Sequence, residues 1–131
     1  MNENKKTILI VEDEPAYQHT LTEKLGHEGF IVLSAKNGEE GLAFALEKHP
    51  DLILLDIVMP KIDGLTMMKK LREADEWGKN VPIIILTNLS ADDDKIMTAI
   101  TNNEPAYYLV KADYTIEGLV EKIRERLSRQ V

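Results

Sequence analysis

Asp56 stands directly after four large apolar residues, Leu52-Ile53-Leu54-Leu55. Two more acids, Glu12 and Asp13, follow the run Ile8-Leu9-Ile10-Val11. Thr87 follows Ile83-Ile84-Ile85-Leu86, and Lys111 follows Tyr107-Tyr108-Leu109-Val110. Continuously apolar runs of this length read as strands of a parallel sheet covered on both faces. The carboxyl ends of such strands are where α/β proteins place their sites. Three acids, a hydroxyl and an ammonium, brought together there, suit a divalent cation and a phosphoryl group carried by Asp56. Neighbouring carboxylates hinder one another's ionisation, and a bound cation relieves that cost. Oxygen ligands without histidine or cysteine suit Mg²⁺. A carboxylate can also act as a nucleophile. Phosphoryl transfer asks mainly for positioning and charge stabilisation, which Mg²⁺, Lys111, the Thr87 hydroxyl and loop N–H groups would supply.

These side chains require a scaffold of alternating strands and helices. The predicted strands are Thr7–Val11, Ile31–Ala35, Leu52–Leu55, Pro82–Leu86 and Tyr107–Val110. The first helix spans Pro15–Glu28, with Pro15 in its first turn, where a missing N–H costs nothing, and Gly29 at its end. A second starts after Asn37, an N-cap with Glu40 three residues on, and runs to Lys48. A third runs from Asp63-Gly64 to about Ala74. The fourth is capped by Ser90 with Asp93 and carries Ile96, Ala99 and Ile100. The fifth runs from Thr115 to about Arg129, with Ile116, Leu119, Val120, Ile123 and Leu127 in one buried stripe. Five strands alternating with five helices imply right-handed crossovers and a parallel sheet. The expected class is α/β, a flavodoxin-like (βα)5 doubly wound sheet in strand order 2-1-3-4-5. That order sets the first and third strands side by side and brings Glu12, Asp13 and Asp56 to the topological switch point.

Composition narrows the function classes. The 131 residues suit one domain, 1–131, with a core over about 6–129. Apolar residues make up 44% and charged residues 30%, so the chain is neither disordered nor membrane-embedded. No apolar run reaches the roughly 20 residues of a membrane span, and the start is too short for a secretory signal core. A cytoplasmic protein is expected. A net charge of −7 argues against direct nucleic-acid binding. With no cysteine there is no disulfide or thiolate chemistry. There is no GxxxxGK[ST] loop, and no GxGxxG follows the first strand. His19, His27 and His49 fall in helix-patterned segments away from the site.

With these residues in place, the chain resembles the receiver domain of bacterial two-component response regulators, of the single-domain, chemotaxis-regulator type. The resemblance rests on Ile8-Leu9-Ile10-Val11-Glu12-Asp13-Glu14, on Leu54-Leu55-Asp56-Ile57-Val58-Met59-Pro60-Lys61-Ile62-Asp63-Gly64, and on the spaced Thr87 and Lys111. It implies that Asp56 accepts a phosphoryl group from a phosphohistidine on a sensor histidine kinase or histidine phosphotransfer protein. It implies Mg²⁺ held by Asp13, Asp56 and the Val58 backbone carbonyl, with Glu12 holding a metal-bound water. Lys111 pairs with Asp56 and then with phosphoryl oxygens. Thr87 hydrogen-bonds the phosphoryl group, and Tyr108 turns inward as Thr87 moves. The output face is the fourth helix, fifth strand and fifth helix, offered to an output protein by a monomer or a weak phosphorylation-dependent dimer. The chain ends just after the fifth helix, so no output domain is expected within it, whether it stands alone or is cut from a longer regulator.

Four positions depart from the family pattern. Ala112 follows Lys111 where proline on a cis bond is usual; without proline the cis form costs about 2.5–4 kcal/mol, so a trans bond is expected. Asn88 follows Thr87 where alanine or glycine is usual, and Val58 and Leu89 are apolar where relatives often carry polar residues. A haloacid-dehalogenase-type phosphatase also joins aspartate, Mg²⁺, threonine and lysine. It wants a second aspartate two residues after the nucleophile, where this chain has Val58. An unphosphorylated scaffold is the other alternative, and the complete set Asp13, Asp56, Thr87 and Lys111 argues against it.

Overall fold

The computed structural model describes residues 5–57, 64–88, 94–105 and 107–129. The strands are β1 (Thr7–Val11), β2 (Ile31–Ala35), β3 (Leu52–Leu55), β4 (Ile83–Thr87) and β5 (Tyr107–Val110). The helices are α1 (Pro15–His27), α2 (Gly38–Lys48), α3 (Gly64–Ala74), α4 (Glu76–Asn80), α5 (Asp94–Asn102) and α6 (Ile116–Ser128), with a 3₁₀ turn at Lys111–Asp113. All strand pairs are parallel, in the order β2-β1-β3-β4-β5. The expected flavodoxin-like (βα)5 doubly wound architecture is therefore present.

Strand alternation builds two cores from one sheet. Leu9, Val11, Ile53, Leu55, Ile83 and Ile85 face one side and pack with Ala45 of α2, Met67, Met68 and Leu71 of α3 and Ile100 of α5. Ile8, Ile10, Leu52, Leu54, Ile84 and Leu86 face the other and pack with Leu21 and Leu25 of α1 and Leu119, Val120, Ile123 and Leu127 of α6. Each such side chain removed from water contributes about 1.5–3 kcal/mol. Burial on both faces explains why the strands read as unbroken apolar runs.

Local signals set most helix boundaries. The Asn37 side chain accepts from the Glu40 N–H at 2.8 Å, and the Glu40 carboxylate returns to the Lys36 N–H at 3.1 Å. Thr115 Oγ1 accepts from the Gly118 N–H at 2.9 Å. After α1 the chain reverses at Gly29 with φ +96°, a left-handed conformation that glycine adopts without strain.

Three details differ from expectation, the first being that α1 ends at His27 rather than Glu28. β4 starts at Ile83 and includes Thr87; Pro82 brings no donor, though its carbonyl still accepts from the Ile53 N–H at 3.0 Å. The short α4 was not anticipated, because five residues are too few to display a helical period. Asp75 caps it, accepting from the Gly78 N–H at 2.7 Å. The predicted fourth and fifth helices are consequently α5 and α6. No peptide bond among the described residues is cis, in line with the trans Lys111–Ala112 bond expected. The Ser90/Asp93 cap, Val58, Leu89 and the loop from Val58 to Asp63 lie outside the described residues. No described helix is long and apolar enough to cross a membrane.

Candidate functional site

Sheet register converts separate strand ends into one cluster. Val11 pairs with Leu55, so the following residues, Glu12 and Asp56, emerge side by side, and the Asp56 N–H donates to the Val11 carbonyl at 3.0 Å. Thr87 pairs with Val110, so Lys111 leaves β5 beside it. Glu12, Asp13, Glu14, Asp56, Thr87, Asn88 and Lys111 line one cleft of about 470 Å³.

Asp56 and Ile57 lie in close backbone contact with the start of α3. A Cβ at Gly64 would lie 2.4 Å from the Asp56 carbonyl oxygen and 2.5 Å from the Ile57 Cα. Only glycine allows the start of α3 to sit that close behind Asp56.

One carboxylate oxygen from each of Glu12, Asp13 and Asp56 lies within 4.8 Å of the others. Glu12 and Asp56 are buried, and Asp13 is exposed. This all-oxygen donor set fits Mg²⁺, which takes one or two carboxylates and keeps several waters. Thr87 is buried beside the cluster, at 1% exposure.

Lys111 supplies the opposing charge. Its Nζ donates to Glu12 Oε1 at 2.6 Å and to Asp56 Oδ2 at 3.2 Å, and its side chain is 12% exposed. Lys111 thus pairs with Asp56, and lies nearer still to Glu12. Burial pushes the ammonium pKa down, but the two carboxylates outweigh it and leave Lys111 above its usual value. Burial raises the Glu12 pKa, against the lowering effects of Lys111 and the Glu14 N–H, which donates to Glu12 Oε2 at 3.1 Å. The cluster therefore holds excess negative charge in little water, a state that a divalent cation relieves.

Tyr108 is half-buried on β5, packed against the core on the α2–α3 side. Burial first, and the Asp56 charge second, raise its phenol pKa. It does not line the cleft among the described residues. Two residues of α1 that sequence reasoning missed also belong here. Tyr17 presents its ring centroid 4.4 Å from Lys111 Nζ. Gln18 Nε2 donates to the carbonyls of Glu12 at 3.1 Å and Ala35 at 2.9 Å. The available signal was position: a helix that opens with Pro15 right after the acidic loop sets its first turn over the strand ends.

A second groove, of about 530 Å³, lies at the amino end of the strands and is lined by His49, Trp77, Arg126 and Arg129 among others. His49 and Trp77 stack there with centroids 4.2 Å apart. Its Asp51 carboxylate is occupied by the Thr7 N–H at 2.7 Å. The converging acids and lysine single out the carboxyl-end cleft as the place for chemistry.

Comparison with known proteins identifies the family. The sequence model of the response regulator receiver domain matches residues 8–124. The DNA-binding dual master transcriptional regulator RpaA of Synechocystis is 35% identical over 122 residues, which are 93% of this chain and 49% of RpaA. The chain thus spans about half the length of relatives of this kind. Protein PilH of Pseudomonas aeruginosa is 39% identical over 89 residues, 68% of this chain and 73% of PilH. The CheY-like response regulator receiver domain protein of Methanospirillum hungatei superposes with a TM-score of 0.86 at 27% identity, covering 95% of each chain. Register, acid cluster and family match converge, and the chain belongs to the response regulator receiver domain family.

Proposed function

We propose that Asp56 is the phosphoacceptor of a phosphorylation switch, and that residues 1–131 act as a single receiver domain. Receiver domains are signalling switches rather than dedicated enzymes, and this chain would catalyse only its own phosphorylation and dephosphorylation. The donor is a phosphohistidine on a sensor histidine kinase or histidine phosphotransfer protein. A carboxylate oxygen of Asp56 attacks phosphorus, a P–O bond forms and the P–N bond breaks. The departing electron pair stays on the imidazole nitrogen, which takes a proton from solvent. Lys111 follows the new charge from Asp56 Oδ2 to a phosphoryl oxygen, and the Thr87 hydroxyl donates to another. Asp13 and Asp56 would hold Mg²⁺ with the Val58 carbonyl, and Glu12 would hold a metal-bound water. When bound, Mg²⁺ supplies charge neutralisation to the transferring group.

The observation that carries this reading is the meeting of three carboxylates and one ammonium within a single cleft. The output is read on the face of α5, β5 and α6. Thr87 is paired to β5 through Val110, so a shift of Thr87 is felt there first. Two arrangements of that face with different partner affinities would carry the signal. The partner is a protein rather than nucleic acid or membrane, in keeping with the net charge of −7, and the setting is cytoplasmic. The protein is a monomer or a weak phosphorylation-dependent dimer.

The test is intact-mass spectrometry after incubation with acetyl phosphate and Mg²⁺. One phosphoryl group should add to the parent protein, none should add to the Asp56→Asn variant, and none should add when the metal is chelated. Undiminished labelling of Asp56→Asn overturns the assignment.

A further inference from the structure

The first turn of α1 lies over the carboxyl ends of β1 and β2, and Gln18 ties it there through the carbonyls of Glu12 and Ala35. Tyr17, one residue earlier, is half-buried and packs against the α1–α6 core. Its ring is thereby held at a set place before Lys111 arrives from β5, 94 positions later in the chain. The Lys111 ammonium has three N–H donors. Two face Glu12 Oε1 at 2.6 Å and Asp56 Oδ2 at 3.2 Å, and the ammonium also lies 4.4 Å from the Tyr17 ring centroid. The π face is the one remaining partner of this largely buried ammonium among the described residues. Burial is the main effect that raises the Tyr17 pKa, so the phenol stays neutral and its face attractive to a cation. Attraction of this kind strengthens as water is removed.

We propose that Tyr17 is a positioning residue for phosphoryl transfer: its ring face holds Lys111 Nζ within reach of Asp56. This rests on Asp56 being the phosphoacceptor. The need for a third partner follows from the geometry. A lysine stem is flexible, and its ammonium is a strongly hydrated point charge. Glu12 is the closer of the two carboxylates, and by itself would draw the charge away from Asp56. A fixed aromatic face gives the third donor direction an alternative to water. The ammonium then remains between the two acids, ready to follow charge onto the phosphoryl group. The ring's hydroxyl has no part in this, and its bulk alone would not suffice.

Three proteins, with Asp56→Asn as a control, and two measurements test the idea. The parent, Tyr17→Phe and Tyr17→Leu are labelled with acetyl phosphate at saturating Mg²⁺, over a range of donor concentrations. Tyr17→Leu should lower the rate at saturating donor by about fivefold, the order expected for one partly desolvated cation–π contact. Its half-saturating donor concentration should not change, and Tyr17→Phe should retain the parent rate. In parallel, the Lys111 side-chain methylene signals should show an upfield ring-current shift in the parent and in Tyr17→Phe, lost in Tyr17→Leu. A Leu variant as fast as the parent, or a Phe variant as slow as Leu, overturns the proposal. The parent spectrum needs no substitution, so absence of the ring-current shift overturns it even if Tyr17→Leu does not fold. Asp56→Asn serves as the control: if it still labels, the phosphoacceptor reading fails, while the spectrum reports separately on the Tyr17–Lys111 contact.

Discussion

At the carboxyl end of the sheet, Lys111 faces two carboxylates and an aromatic ring. At the amino end, the hydrogen bonds of Arg72 go to backbone carbonyls, with the Glu104 carboxylate as a nearby charge. Its guanidinium donates to Asn103 O at 2.8 Å, Gly78 O at 2.8 Å, Val81 O at 2.7 Å and Glu104 O at 3.0 Å. Both cations are largely withdrawn from water. Burial pushes the Arg72 pKa down, whereas at Lys111 the two acids overcome the same effect. The planar fork of Arg72 joins α3, α4 and the turn after α5 into one unit, and the carbonyls that accept its hydrogen bonds cannot change charge. Lys111 is a point charge on a mobile stem, and both its acidic partners can change charge or acquire ligands. The same physical ingredient, a half-buried cation, is a clamp in one region and an adjustable contact in the other.

The largest expected effect comes from attacking the clamp. Arg72→Met removes four hydrogen bonds and leaves their carbonyls short of donors. It should lower the unfolding free energy by about 3 kcal/mol, measured in urea. Labelling of the folded protein at Asp56 should stay within about twofold of the parent, because the clamp and the cleft lie at opposite ends of the sheet. Lysine at this position should not rescue stability, since it has no fork. A variant that lost labelling but kept its stability would break the comparison.

The complementary substitution is Lys111→Met. Loss of a cation aimed at developing phosphoryl charge should slow labelling about 100-fold. With Mg²⁺ present to offset Glu12 and Asp56, stability should change by less than about 1 kcal/mol. A stability loss as large as that of Arg72→Met would show that Lys111 is also a clamp. The smallest effect belongs to Asn37→Ala, which removes a helix cap that touches neither Lys111 nor Arg72. It should cost about 1 kcal/mol and leave the labelling rate unaltered. That variant calibrates how a purely local contact appears in both assays.

Several features were legible because their causes are local. Unbroken apolar runs marked β1, β3 and β4, since a strand buried on both faces has no polar positions to interrupt it. Asn37 with Glu40, and Thr115 ahead of its apolar stripe, marked helix starts through contacts three residues apart. Asp56, Thr87 and Lys111 stood out as polar residues closing apolar runs. The boundary of β4 was shifted because Pro82 counts as apolar yet cannot donate to the ladder.

The sequence by itself therefore determined which polar residues close the apolar runs, where the helices after Asn37 and Thr115 start, and which family the chain resembles. Only the tertiary structure decided which of those residues meet. That Lys111 lies nearer Glu12 than Asp56 depends on strand order and on register across β1, β3, β4 and β5. That Tyr17 faces Lys111 depends on Gln18 tying α1 to two strand ends. That Arg72 clamps the amino end depends on four carbonyl groups, and every residue carries a carbonyl, so no residue type announces it. Helical period and capping act over three or four positions and leave their mark in adjacent residues. Contacts between distant strand ends are set by packing the whole sheet, and no short stretch of sequence records them.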